Sequence, residues 1–190
     1  MRRLGDARSG AIFSDDMAYR YRLWRCWDES LPRVCFCLLN PSTADEVDND
    51  PTIERQQRRV MQWNTASMFV DSVKRFGAIE IVNAFAYRST NPGALYKIDD
   101  PVGDGNGDAI TEAGRAAIQS GGLFVCGWGS HVDKVDPYAQ NCLLDMLENE
   151  SIPLSALKLN ADGSPQHPLY LSYSLRPRRW IGGELTEVLV

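Results

Sequence analysis

One apolar run, at 34–39, stops abruptly at Asn40-Pro41 and gives way to a polar loop, and this change constrains the fold more than any other feature. An unbroken apolar run of this length is typical of a parallel strand that is buried on both faces. Pro41 cannot donate to a strand ladder and favours an extended Asn40, so the strand should end there. Open α/β sheets bind ligands at the carboxyl ends of their strands. The sequence therefore predicts a site beside Asn40.

Strand and helix signals alternate along the rest of the chain. A helix is predicted to begin with Asp50 as its N-cap and Pro51 as its first residue, and to run towards Phe76. Its arginines, Arg55, Arg58 and Arg59, are expected to be solvated. Apolar runs predict further strands at 78–83, 123–129 and 156–159, and helices are predicted at 108–119 and from 137 to about 148. This order predicts a three-layer α/β/α fold around a central, mostly parallel four-stranded sheet.

A further strand is predicted near the N-terminus, where residues 19–27 alternate aromatic and basic side chains. This pattern is typical of a half-exposed edge strand, here expected to pair antiparallel with the strand that follows it. With 190 residues, of which 44% are apolar, the chain is long enough for one well-packed domain and short for two. We expect a single domain over 1–190, with its core at 17–175 and peripheral segments at 1–16 and 176–190.

Composition excludes several classes of function. A net charge of −5 argues against a broad basic surface that holds nucleic acid through its phosphates. The five cysteines form no Cys-x-x-Cys pair and lie mostly in apolar runs, which fits a reduced, cytoplasmic setting. No apolar stretch approaches the roughly 18 residues that span a bilayer. Two histidines are too few for a zinc site, and the acidic loop 45–50 lacks the turn glycine of a calcium loop. No metal, cofactor or membrane partner is predicted.

The predicted strand ends carry side chains with related chemistry, namely Asn40, Asn83, Trp128 with His131, and His167. Asparagine can orient a water or read a nucleobase, histidine can stabilise an anion, and tryptophan offers a stacking face. Each also has a plainer explanation. Asn40 can cap its turn, Asn83 can bond neighbouring backbone, and His167 can anchor the final loop. Their coincidence at one predicted sheet edge favours a site.

Six short segments, at 39–45, 49–52, 83–88, 100–103, 128–131 and 167–170, carry specific motifs such as Leu-Asn-Pro-Ser-Thr-Ala-Asp and Trp-Gly-Ser-His. Together they resemble DUF1643, a domain-of-unknown-function family of bacteria and phages, over about 17–175. Membership implies no established activity. More remotely, the spacing is similar to that of the uracil-DNA glycosylase superfamily, which has a strand ending in Asp or Asn before Pro, a strand ending in a base-reading Asn, and a late His-Pro segment.

The glycosylase resemblance implies roles for individual residues and a glycosylase-like fold. Asn40 would position the attacking water, Asn83 would pair with a base edge, and His167 would stabilise the leaving base anion. Leu38 stands where those enzymes usually have a glycine, and Leu169 replaces a serine that commonly contacts phosphate. Flipping a base out of a duplex also needs a positive groove and a wedge. A nucleobase, a nucleotide or single-stranded nucleic acid is therefore the expected partner, in preference to damaged duplex DNA.

The complete predicted site adds neighbours of these residues. Asp45 is the candidate general base because it follows Asn40 by only five residues. Arg88 follows a strand end beside aromatic residues, where it is placed to meet an anion. The predicted catalytic residues are Asn40, Asp45 and His167, and the predicted binding residues are Pro41, Ser42, Thr43, Asn83, Phe85, Tyr87, Arg88, Trp128 and His131.

Three functions stay open on the sequence alone. The first is hydrolysis of an N-glycosidic or related bond of a nucleotide. The second is a binding module that kept the pocket and lost catalysis, serving phage defence, DNA modification or nucleotide sensing. The third is an unrelated small-molecule α/β hydrolase, for which Ser42 with His131 or His167 would be the reacting groups. The chain has no Gly-x-Ser-x-Gly elbow to support that third function. The oligomeric state is also left open.

Overall fold

A computed structural model describes residues 1–67 and 75–190. Over these ranges the chain forms a nine-stranded mixed sheet with four α-helices, which confirms the expected α/β class. The strands are β1 Arg2–Gly5, β2 Ser9–Phe13, β3 Arg20–Cys26, β4 Arg33–Leu38, β5 Ala78–Asn83, β6 Leu123–Cys126, β7 Leu154–Ala156, β8 Arg178–Ile181 and β9 Glu184–Val188. The helices are α1 Pro51–Ser67, α2 Asn106–Gln119, α3 Val132–Val135 and α4 Ala139–Asn149, with short 3₁₀ turns at Pro92–Tyr96 and Pro168–Tyr170.

The centre of the sheet is parallel, as predicted. The strand order is β1-β2-β3-β5-β4-β6-β7-β8-β9, and β4 pairs in parallel with both β5 and β6, while β6 pairs in parallel with β7. Every residue of β5 and β6 is buried, which explains why their sequences are mostly apolar. The charged exception within β5 is Glu80, whose buried carboxylate pairs with Arg22 and Arg33. Their carboxyl ends lie at one edge of the sheet, which is where the sequence places the site.

Successive residues of the central strands belong to two different core clusters, because side chains alternate between the faces of a sheet. Phe36 packs in the cluster that includes Trp63 of α1. Cys35 and Cys37 pack in the cluster that includes residues of α2 and α4, such as Ala113. Helical side chains therefore cover both alternating sets of strand residues. Within the described ranges, no helix is long and apolar enough to cross a membrane.

The N-terminus of α1 is built as predicted. Asp50 is its N-cap, and Oδ1 of this residue accepts hydrogen bonds from the backbone N–H groups of Thr52 at 2.9 Å and Ile53 at 3.0 Å. Pro51 is the first helical residue, where its missing N–H costs nothing. The predicted continuation of the helix towards Phe76 falls partly outside the described residues.

Three expectations about the sheet were wrong. It has nine strands instead of four and an edge strand. The segment 19–27 forms β3, which pairs antiparallel with β2 and β5 and not with the following β4, so it lies inside the sheet. The β1–β2 hairpin covers its outer side, and the edges of the sheet are β1 and β9. The segments expected to be peripheral thus add two strands at each end. The fourth parallel strand is Leu154–Ala156, two residues earlier than predicted at its start.

Candidate functional site

A cavity of about 570 Å³ opens at the carboxyl ends of the parallel strands. Its size is that of an ordinary small-molecule pocket. The connections after β4, β5, β6 and β7 all contribute to its wall, together with the first residues of α1. The lining consists of Leu39, Asn40, Ser42, Asp50, Pro51, Thr52, Ser89, Thr90, Pro92, Trp128, Gly129, Ser130, His131, Asn160, Gln166, His167, Leu169 and Tyr170.

The structure brings five of the predicted site residues together in this wall. They are Asn40, Ser42, Trp128, His131 and His167. These residues come from three different strand connections that are up to 127 positions apart in the chain, as the numbering of Asn40 and His167 shows. The remaining predicted residues, which are Pro41, Thr43, Asp45, Asn83, Phe85, Tyr87 and Arg88, do not belong to the lining.

Asn40 joins two walls of the cavity. Its Nδ2 donates to the carbonyl of Pro41 at 3.0 Å and to the carbonyl of Ser89 at 2.9 Å. The bond to Ser89 fixes the connection after β5 against the connection after β4. Oδ1 of Asn40, which is the acceptor of the amide, accepts no hydrogen bond from any described residue. The orientation of the amide therefore leaves an acceptor for a water or a ligand.

His167 is a neutral hydrogen-bond donor in this site. Its Nδ1 accepts a hydrogen bond from the N–H of Leu169 at 3.4 Å. Burial lowers the pKa of His167 to about 4, and the nearby negative charge of Asp50 opposes this shift only in part. At neutral pH the ring therefore carries one proton, and because Nδ1 accepts, that proton is on Nε2. His167 can stabilise a developing anion through Nε2–H without a positive charge.

Asp50 supplies a carboxylate to the same wall. One of its oxygens, Oδ1, accepts the two α1 N–H groups described above, which fixes the position of the side chain. The residue is 6% exposed and lines the cavity. Its charge is close enough to His167 to act on the pKa of that ring. The sequence predicted Asp50 only as a helix cap, whereas the structure also places its carboxylate in the site.

Asp45, the predicted general base, hydrogen-bonds to the backbone of its own loop. Its Oδ1 accepts the N–H groups of Asp48 at 2.8 Å and Val47 at 2.9 Å. These two amides are the main reason why the pKa of Asp45 is lowered. The carboxylate is held in a turn outside the lining, and its catalytic role stays a prediction.

Asn83 and Phe85 are enclosed in the core. Asn83 is 1% exposed, and its Oδ1 has no hydrogen-bond partner among the described residues. Nδ2 of the buried Asn106 donates to the carbonyl of Asn83 at 3.0 Å. Phe85 is 1% exposed and belongs to the core cluster that also contains Trp128. Base reading by Asn83 stays a prediction, and the residue has no surface on the cavity as the structure stands.

Tyr87 and Arg88 lie against the N-terminal strands. The ring of Tyr87 meets the ring of Tyr19 edge to face, with centroids 5.7 Å apart. The guanidinium of Arg88 stacks on Phe13 at 5.0 Å, and its Nη1 donates to the carbonyl of Met17 at 3.2 Å. Both side chains therefore connect the β5 exit to the antiparallel part of the sheet.

Trp128 and His131 form the wall that follows β6. The indole Nε1–H of Trp128 donates to Oε1 of Gln140 at 2.9 Å, and the residue is 1% exposed. Its ring is thus fixed in the core, with little free face for stacking. His131 is hydrogen-bonded through Nδ1 to the hydroxyl of Tyr96 at 3.0 Å. This bond links the wall after β6 to the 3₁₀ turn Pro92–Tyr96.

Arg59 holds the His167 segment in place. This arginine is fully buried on α1 and donates to the carbonyls of Pro168 at 3.0 Å, Leu171 at 2.9 Å and Ser172 at 2.6 Å. Burial lowers its pKa to about 10, so the group stays protonated at neutral pH. One side chain thus donates to three carbonyls of the segment 168–172 and ties this segment to α1.

The predicted solvation of the α1 arginines holds for Arg58, which is exposed and pairs with Glu54. It is wrong for Arg59, and for Arg55, which is half-buried and donates to the carbonyl of Leu171 at 2.8 Å. Their partners lie more than 100 positions away in the chain, so helical spacing could not reveal them.

Gly127 allows the His-Pro segment to approach the end of β6. A Cβ atom at this position would lie 2.9 Å from Cδ of Pro168 and 3.3 Å from Cδ2 of Leu38. A side chain here would displace the segment that carries His167. Close packing against Pro168 and Leu38 therefore explains why a glycine precedes Trp128.

Several lining residues were missed by sequence reasoning, and some of them had a signal. Thr52 belongs to the Asn-Asp-Pro-Thr motif, Ser89 directly follows the Asn83–Arg88 motif, and Gln166 precedes His167. Tyr170 is the last residue of the motif at 167–170. Asn160 had no such signal, since only the fold brings it to the cavity. Within 1–67 and 75–190, no group of His, Cys, Asp and Glu side chains could hold a metal ion.

A family model with the description "Protein of unknown function (DUF1643)" matches residues 20–169. No curated protein and no solved structure matches the chain.

Proposed function

Because the chain belongs to the DUF1643 family, which is described only as being of unknown function, we propose a function from the cavity itself: it binds a nucleobase-containing compound and hydrolyses the N-glycosidic bond. The observation that carries this proposal is the convergence of Asn40, Asp50 and His167 in one wall. The three side chains present a free amide acceptor, a buried carboxylate and a neutral N–H donor.

Each of these groups fits one need of N-glycoside hydrolysis. Oδ1 of Asn40 accepts from the attacking water and orients its lone pair towards the anomeric carbon. The carboxylate of Asp50 takes up the proton of that water as the new C–O bond forms. As the C–N bond breaks, its electron pair goes to the base, and Nε2–H of His167 stabilises the resulting anion. We assign the carboxylate role to Asp50 in preference to Asp45, since Asp50 lines the cavity.

The finer fold is part of the same proposal. We propose a three-layer, glycosylase-like arrangement, supported by the distribution of β4 side chains between the α1 cluster and the α2–α4 cluster. The strand order, with β4 between β5 and β6, also places Asn40 near the middle of the parallel set. A serine hydrolase has less support, because Ser42 makes no hydrogen bond to His131 or His167 among the described residues.

Turnover of nucleosides by the purified protein tests the proposal. We expect release of free base, measured by liquid chromatography, and an Asn40→Ala variant that loses a factor of about 10² to 10³ in rate while it keeps its affinity. Val47→Ala is the matched control, since Val47 is an exposed residue of the same loop outside the lining. Its rate should equal that of the wild type.

Two results would contradict the proposal in different ways. Binding of nucleosides without any release of base would make the protein a non-catalytic binding module. If no base, nucleoside or nucleotide raises the melting temperature, nucleobase-containing compounds are excluded as ligands of the cavity.

A further inference from the structure

We infer that the ligand of the cavity carries no phosphate: the substrate is a nucleoside, not a nucleotide and not a nucleic acid strand. This inference rests on the proposed function and narrows its substrate class. It is carried by the charges of the cavity lining, which includes no cationic side chain that could pair with a phosphate.

No lysine or arginine occurs in the lining, as far as the described residues form it. The carboxylate of Asp50 is part of the wall and carries a negative charge. Nearby, His167 is neutral above about pH 5 because burial lowers its pKa to about 4. A phosphate placed in this cavity would lose its hydration and meet a like charge, and no cation of the lining would compensate it. The buried Arg20, whose charge acts on that of Asp50, lies outside the lining.

The N-terminus of α1 also faces the cavity, and such ends often bind anions. Here its donors are already used. The N–H groups of Thr52 and Ile53 bond to Oδ1 of Asp50, the N–H of Glu54 bonds to the Asp50 carbonyl at 3.0 Å, and Pro51 has no N–H. The helix has therefore satisfied this end with its own carboxylate.

The arginines around the site lie outside the lining and make contacts within the fold. Arg20 is buried and donates to the carbonyl of Ala44 at 2.8 Å. Arg59 and Arg55 donate to carbonyls of the segment 168–172, and both guanidinium groups lie over the ring of Tyr173, at 5.3 and 4.4 Å. Arg88, which the sequence placed to meet an anion, stacks on Phe13 and donates to Met17. Nε of Arg55 and Nε of Arg88 have no hydrogen-bond partner among the described residues, but neither arginine belongs to the cavity lining.

The wall is rich instead in neutral hydrogen-bonding groups. Ser42, Thr90 and Gln166 line the cavity beside Asn40. Hydroxyl and amide groups are suited to the hydroxyls of a sugar and the edge of a base. Apolar residues such as Leu39 and Leu169 supply flat contact for a ring.

The test compares each nucleoside with its own 5′-monophosphate. Affinities for the four common pairs, and for the free bases, are measured by calorimetry with the 190-residue protein at pH 7.5. We expect every monophosphate to bind at least about ten-fold more weakly than its nucleoside. Nucleoside affinity should be nearly independent of salt, whereas a polyanion would lose affinity steeply with added salt.

The Asp50→Asn variant tests whether the charge of Asp50 causes the preference for the nucleoside over its monophosphate. Asparagine keeps an oxygen that can cap α1 and removes the charge. The preference for the nucleoside should shrink several-fold in this variant. Asp48→Asn, an exposed carboxylate of the same loop outside the lining, should leave the preference unchanged.

The outcomes separate this inference from the proposed function. Monophosphates that bind as tightly as nucleosides, or more tightly, would overturn the inference and leave the nucleobase pocket standing. If Asp50→Asn and Asp48→Asn change the preference equally, the cavity charge is not its source and the inference also fails. If no base, nucleoside or monophosphate binds, the proposed function itself is overturned.

Discussion

The ends of β4 and β5 have the same sequence pattern but differ in how far the asparagine is exposed. Each apolar strand runs into an asparagine, Asn40 after β4 and Asn83 at the end of β5. Asn40 is half-buried and lines the cavity, whereas Asn83 is 1% exposed with its carbonyl bonded to Asn106. We call them the open end and the closed end.

The difference lies in the path that the chain takes after each asparagine. After Asn40 the chain turns away at Pro41, which cannot continue the ladder. After Asn83 the chain keeps close to β4, because the N–H groups of Ala84 and Phe85 bond to the carbonyls of Leu38 and Leu39 at 2.8 and 3.0 Å. A strand end becomes a site only where the chain departs from the sheet and leaves a side chain uncovered.

The largest expected effect concerns the support of the open end. Arg59→Met removes a buried side chain that donates to three carbonyls of the segment 168–172, and it should lower the free energy of unfolding by about 4 kcal/mol. Arg58→Met, one position away and exposed, should cost less than about 0.5 kcal/mol. Urea denaturation of the two variants measures both values. Equal costs would show that the segment 168–172 does not depend on Arg59.

A smaller effect is expected on the pH dependence of stability, and it comes from His167 at the open end. The pKa of His167 is about 4 in the folded protein and near 6.5 when unfolded, so the unfolded chain binds more protons between these values. The stabilising contribution is complete above pH 6.5 and is lost as the pH falls towards 4, by about 3 kcal/mol.

His167→Asn keeps an acceptor near the N–H of Leu169 and removes the titrating ring. Denaturation of both proteins between pH 7.5 and 4.5 should show a shallower loss in the variant. Parallel pH curves would mean that His167 titrates normally, and its role as a neutral donor would fall.

The smallest effect is expected at the closed end. Asn83→Ala removes an unpartnered buried oxygen, which offsets part of the lost packing, and should change the free energy of unfolding by about 1 kcal/mol or less. Any ligand-induced rise in melting temperature should match that of the wild type. A variant that folds normally but no longer responds to the ligand would break the comparison, because Asn83 would then read the base as the sequence predicts.

Local signals explain which parts of the fold could be predicted. The parallel strands are apolar runs, and the start of α1 follows from the Asp-Pro pair at Asp50, so neither depends on distant residues. The strands β1 and β9 carry little apolar pattern, and most of their residues are exposed. They are strands because a neighbouring strand offers them backbone partners, which a single segment does not reveal.

The candidate site divides in the same way between local and distant signals. Asn40 and His167 stand next to prolines at the ends of apolar or structured segments, and this made them visible. The role of Arg59 could not be predicted because its partners are carbonyls more than 100 positions away, in a segment that begins with a short 3₁₀ turn. Asp50 was correctly predicted as a helix cap, and this assignment explained the residue without suggesting that it also lines the cavity.

The outermost strands have a consequence for contacts between molecules. An exposed strand edge is a template for another chain, and proteins commonly protect it with charge. The β1 edge carries the exposed Arg2 and Arg3, and the β9 edge carries the exposed Glu184 and Glu187. A two-fold symmetric pairing through either edge would bring like charges together, while β1 of one copy against β9 of another would match opposite charges. The charges thus oppose closed dimers through these edges and leave the head-to-tail arrangement as the electrostatically complementary one.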